Sequence, residues 1–179
     1  MFAPSQAIAG SWFLPGALLL TVLAVVWDLA VRRIPNAITL TAMAGGLAGH
    51  AIVHGGSGFA WSAAGLAVGL GLLLVPVLMG GMGAGDLKLL GALGAILGPR
   101  SVLEIALVSA VAGGFLALAV AFRHGVAGAA LERAARLCLF WRRSSRAGEE
   151  GTRPRLGSIP YGVAIGLGTW ICVLGGGLF

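Results

Sequence analysis

The chain has 179 residues, of which 58% are apolar and only 10% charged, with a mean hydropathy of +0.97. A soluble domain carries about 25% charged residues, so this composition excludes an ordinary water-soluble protein and points to the bilayer. The net charge of +6 does not indicate nucleic acid, because the arginines gather beside apolar runs rather than along a groove-reading element.

Residues 1–31 hold no Lys or Arg. The positive segment of a cleavable signal peptide is missing, and the first apolar run, Leu14 to about Val31, is expected to stay as a membrane helix. Asp28 falls in its last turn, with Arg32-Arg33 just beyond. Pro35 suits the first turn of the next helix, where its missing N–H costs nothing. The second stretch runs from about Asn36 to Val53 and stops at His54-Gly55-Gly56-Ser57-Gly58; a third fills Phe59 to Met79. Gly80 to Gly85 holds four glycines in six residues and reads as a break. Asp86 to Leu97 is short, roughly 18 Å at the helical rise. That helix must begin inside the glycine-rich segment, tilt, or stop short of the far interface. Pro99-Arg100 ends it. Val102 to Phe122 is a fifth span and Ile159 to Phe179 a sixth. The expected architecture is all-α, a polytopic bundle of about six transmembrane helices forming one integral-membrane domain over residues 1–179.

Between the last two spans, residues 123–158 form a long polar segment. Ala127 to Arg143 suggests a surface helix with Leu131, Ala134, Cys138 and Trp141 on one side, although Leu137, Leu139 and Phe140 blur the separation. Cys138 and Cys172 form no CxxC pair and indicate neither a zinc site nor a disulfide framework. Small residues recur at four-residue spacing in Gly65/Gly69, Gly81/Gly85, Gly94/Gly98 and Gly162/Gly166, which suits close helix packing in a membrane.

With the amino terminus outside, segments 32–35, 80–88 and 123–158 are cytoplasmic and hold eleven of the twelve Lys and Arg residues; Arg100 alone lies opposite. This orientation puts Asp28, ending an inward-going span, and Asp86, opening an outward-going one, at the same depth on the cytoplasmic side. No other aspartate exists in the chain. A carboxylate at the edge of hydrocarbon is costly unless paired or put to use. Gly83 and Gly85 bring no side chains, so another backbone is expected to approach Asp86 closely.

Two adjacent carboxyls share one proton. The ionised partner draws a proton from a water attacking a peptide carbonyl, and the protonated partner donates to the carbonyl oxygen or the leaving nitrogen. Such chemistry needs no metal or cofactor. Helix dipoles favour charge on Asp86, at a helix start, and leave the shared proton on Asp28, at a helix end. His50, His54 and His124 lie on different segments and read as boundary residues rather than ligands.

Gly83-Ala84-Gly85-Asp86 resembles the GxGD motif of intramembrane aspartyl proteases, and Lys88 extends it to the GxGDxK form of type IV prepilin peptidases. Asp28 with Arg32-Arg33-Ile34-Pro35-Asn36 resembles that family's first-aspartate region. Ser158-Ile159-Pro160-Tyr161-Gly162 resembles its late Pro-aromatic-Gly element. The resemblance implies cleavage of prepilin leader peptides at the cytoplasmic face of the inner membrane, after a glycine that precedes the substrate's hydrophobic helix. It implies Asp28 and Asp86 as the catalytic pair, with Gly83, Gly85, Lys88, Pro35, Asn36, Pro160, Tyr161 and Gly162 in support. The paired CxxC segment of the larger bifunctional members is missing, and N-methyltransferase activity is not expected. This short form is similar to peptidases of tight-adherence (Flp-type) pili, with archaeal preflagellin peptidases as the second choice.

Each residue has a plainer role open to it. Asp28 suits an i,i+4 pair with Arg32, Asp86 a helix N-cap, Pro160 a helix start, and Lys88 a snorkelling topology marker, the reading favoured for it. For the whole chain the alternatives are a small proton- or cation-coupled transporter and a non-catalytic pilus or secretion assembly subunit.

Overall fold

A computed structural model describes residues 13–31, 34–78, 82–123 and 161–174, and every regular element among them is an α-helix. These are α1 (Phe13–Val31), α2 (Asn36–Leu78), α3 (Ala84–Arg123) and α4 (Tyr161–Leu174). A straight helix of 43 residues, the length of α2, would reach about 65 Å, twice the roughly 30 Å of bilayer hydrocarbon. Instead α2 breaks at Gly55 (φ 63°, ψ −149°) and α3 at Gly98 (φ 86°, ψ 177°). Only glycine takes up such angles without strain. The six apolar stretches of the sequence therefore lie on four helices. Three of them are long and apolar enough to cross a membrane, and α4 is a shorter apolar one. The segment His54–Gly58, expected as a linker, is helical on either side of a single broken residue.

Two compact units divide the chain, residues 1–113 with 160–179 and residues 114–159. Of the second, the described part is the end of α3, helical through Arg123.

In the first unit successive segments run in opposite directions. Phe13, opening α1, stacks on His50 with ring centroids 4.0 Å apart. Beyond Gly55 the chain folds back, so that Trp61 meets the same His50 ring edge-on at 5.0 Å. The second half of α2 then packs on the first half of α3 through glycine. A Cβ at Gly65 would run into the Gly94 carbonyl, and one at Gly69 would lie 2.5 Å from the Leu90 carbonyl oxygen. In lipid, apolar side chains gain little by leaving the acyl chains, so this backbone approach is what holds the pair.

The first half of α3 is the centre of the unit. Leu89, Leu90, Ala92, Leu93, Ala95 and Leu97 are all buried, on every side of the helix. An apolar surface all round belongs to a fully enclosed helix. This accounts for its shortness: it starts at Ala84, inside the glycine-rich run, and lies among other helices rather than against lipid.

Its far end is finished by side chains from α2. Pro99 has no N–H, so the Ala95 carbonyl loses its usual partner one turn later. Ser62 Oγ donates to that carbonyl at 2.6 Å. The neighbouring Ile96 carbonyl accepts from His50 Nε2 at 2.9 Å, which fixes the proton on that ring nitrogen. His50, expected at a boundary, is instead wholly buried. Thr21, Thr39, Ser62 and Thr169 are buried too, while Leu29, Ile52, Leu107 and Leu174 face outward. Polar inside and apolar outside is the pattern of a bundle dissolved in lipid.

Candidate active site

Asp28 is placed by the inward stripe of α1. Ala17, Leu20, Thr21, Ala24 and Asp28 recur at three- and four-residue spacing and are the buried face of that helix. The carboxyl ends this stripe against α4, and what makes room for it is Gly162. A Cβ on Gly162 would lie 2.7 Å from Asp28 Oδ2 and 3.1 Å from its Cγ. One turn on, Gly166 faces Val25, so α4 lies antiparallel to α1 along this pair of glycines. On the other side of α4, the Tyr161 ring packs against Gly113.

Asp86 is placed by the start of α3. The Gly83 carbonyl accepts from the Asp86 N–H at 3.2 Å and from the Leu87 N–H at 3.5 Å, which makes Gly83 the N-cap. Asp86 is the third helical residue, and its carboxyl turns back toward Gly83, with Oδ2 3.2 Å from where a Cβ would sit there. That is the place of the acidic residue in a capping box. Asp86 is therefore not the N-cap itself. The expected purpose of Gly83 and Gly85 is corrected as well. Gly83 faces the Asp86 carboxyl of its own turn, and Gly85 faces the Ile34 side chain at ordinary contact distance, so neither admits another backbone. The glycine that lets a helix approach an aspartate is Gly162.

These two placements converge. Asp28 lies near enough for its charge to act on Asp86, and Asp86 near enough to act on Tyr161. Asp28, Asp86, Tyr161 and Gly162, drawn from α1, α3 and α4, thus share one end of the unit.

The start of α2 joins them. The Pro35 carbonyl accepts from the Ile38 and Thr39 N–H groups, so Pro35 caps α2 and Asn36 is its first residue, one position from the expected register. Ile34 is buried against Gly85. Lys88 Nζ donates to Asn36 Oδ1 at 2.9 Å. The ammonium expected to snorkel to a bare interface has a protein partner. The only signal for this contact in the sequence was that both residues flank an aspartate at one predicted depth. Arg32, Arg33 and Pro160 lie outside the described residues, as do His124, Cys138 and the suggested surface helix. Glu104 pairs with Arg100 at 3.4 Å on the second half of α3. Among the described residues no three His, Cys, Asp or Glu side chains are grouped so as to hold a metal.

A sequence profile of the type IV leader peptidase family matches residues 14–118, more than half the chain, and takes in both aspartates. The chain belongs to the type IV leader peptidase family. It is a membrane-embedded protease of the prepilin-peptidase kind. No curated protein and no solved structure gives a match. The match to the leader peptidase profile ends before α4, so Tyr161 and Gly162 join the site by geometry. In this leader peptidase two carboxyls, a tyrosine and a lysine bonded to Asn36 gather at one end of the first unit. That set suits moving protons on and off a peptide bond.

Proposed function

We propose that this leader peptidase removes the cytoplasmic leader of an Flp-type prepilin by aspartic catalysis, with Asp28 and Asp86 as the pair. The observation that carries the reading is the convergence of the chain's two aspartates at one end of the first unit. Asp86 is the base: it sits at a helix N-terminus, where exposed N–H groups favour a carboxylate. It takes a proton from water as the water oxygen bonds to the scissile carbonyl carbon. Asp28, in the last turn of α1, gives its proton to the carbonyl oxygen. As the tetrahedral intermediate collapses, Asp86 passes its proton to the departing nitrogen, Asp28 takes back the hydroxyl proton, and the C–N bond breaks, which restores both carboxyls to their starting states. The protein crosses the inner membrane six times, α2 and α3 twice each, with its amino terminus outside. The prepilin's own transmembrane helix lies in the same bilayer, its leader on the arginine-rich side.

Co-expression with a candidate prepilin tests this. The wild-type chain shortens the substrate on an immunoblot, whereas Asp28→Asn and Asp86→Asn leave it full-length while accumulating as folded membrane protein. Cleavage by either variant would sink the aspartic mechanism.

A further inference from the structure

We infer that the Lys88–Asn36 contact is a brace that sets the position of Asp86 relative to Asp28, and that Lys88 and Asn36 are positioning residues of the reaction. The inference rests on the cleavage reading above. It starts from a difficulty in the chain itself. Asp86 follows Gly83 and Gly85, a run whose glycines restrain the backbone less than any other residue type would. A catalytic carboxyl has to be held far more tightly than such a run can hold it. The cap at Gly83 orients Asp86 against its own helix but ties that helix to nothing else.

Lys88 supplies the tie. Two residues along an α-helix turn the side chain through about 200°, so Lys88 leaves α3 on the side away from Asp86. While Asp86 lies within electrostatic reach of Asp28 and Tyr161, Lys88 reaches α2 and bonds Asn36. The start of α3 is thereby joined to the start of α2. Its partner is well anchored: Pro35 fixes φ just before Asn36, and Ile34 is buried against Gly85. Asn36 also stands eight residues after Asp28, so the brace ties the segment that follows one aspartate to the helix that carries the other.

Local helix energetics do not account for the lysine. A cation in the second turn of α3 lies near the positive end of the helix dipole, where it is mildly unfavourable. Nor is Lys88 ion-paired with a carboxylate among the described residues; its partner is the Asn36 amide.

The test is a double-mutant cycle on prepilin cleavage with Asn36→Ala, Lys88→Met and their combination, plus Asn36→Asp, which restores an acceptor. Lys88→Met keeps the apolar stem and removes only the ammonium. Each single loss is expected to lower kcat on the order of tenfold with KM little changed, the double variant to be no slower than the worse single, and Asn36→Asp to recover most of kcat. Multiplying losses, a loss confined to KM, or an Asn36→Asp enzyme as slow as Asn36→Ala would each overturn the brace. A second readout needs no substrate: the spread of distances between spin labels at Leu40 and Ala84. It should widen in Asn36→Ala and Lys88→Met and narrow again in Asn36→Asp; an unchanged spread overturns the proposal. Should the wild-type protein leave the prepilin uncut, the cleavage reading fails and the spin labels alone decide the brace.

Discussion

A methyl group on residue 162 would have to share space with the Asp28 carboxyl, which touches the missing Cβ position with Oδ2, Cγ and Cβ together. A short side chain caught at three atoms cannot swing its tip aside, so Gly162→Ala must move the carboxyl or part α4 from α1. Misplacement by about 1 Å costs on the order of a hundredfold in rate. Gly166→Ala is the control, because its Cβ meets the Val25 Cγ2 methyl and no atom of Asp28. Gly162→Ala is expected to lose cleavage by roughly that factor while Gly166→Ala stays close to wild type; equal rates for the two would remove Gly162 from the site. Asp28 and Asp86 stood out in the sequence because charge is rare in such apolar runs. The Asp28–Gly162 and Lys88–Asn36 contacts did not, since each joins segments that only the folded bundle brings side by side.

Glycine and proline marked the helical segments well, and the stretches read from them agree with the helices to within a residue or two at most described ends. What apolar runs alone leave open is how a break is completed. Gly55 and Gly98 break their helices without an intervening loop, and the Pro99 break needs a donor from elsewhere in the chain. Ser62 gives that donor to the Ala95 carbonyl, in a buried setting with no water to take its place. Ser62→Ala should therefore destabilise the protein by about 1 kcal/mol, in the range of interhelical hydrogen bonds in membranes. Ser57→Ala removes a hydroxyl that bonds the His54 carbonyl across the Gly55 break, but at an exposed position where another donor can replace it, and should cost little. Unfolding in detergent micelles compares the two, and equal stabilities would show that the Pro99 break needs no outside donor. A histidine near a glycine-rich stretch likewise looks like an edge residue, whereas His50 is buried with the Ile96 carbonyl beside it.

For the molecule as a whole, hydropathy was enough to give an all-helical membrane protein, while the burial of Ala84–Leu97 at its centre required the structure. The proposed orientation rests on the eleven-to-one split of Lys and Arg. In a background without native cysteines, Gly56→Cys and Arg100→Cys should react with an impermeant reagent from outside, and Ala147→Cys only from the cytoplasm. External labelling at 147 would put the aspartates on the wrong side for a leader peptide. The central segment also bears on how the enzyme is made. Fourteen residues from Ala84 to Leu97 rise about 21 Å, short of the roughly 30 Å of hydrocarbon, and they carry Asp86 and Lys88 near one end. Such a stretch gives the translocon little reason to release it into lipid as a separate span. It has to enter as a hairpin with the apolar segment after Gly98, once earlier helices are present to surround it. The nascent chain therefore acquires its second aspartate well before that aspartate has a lasting place in the membrane. The ribosome must first complete the partner segment, and the proposed pair of aspartates cannot assemble until then.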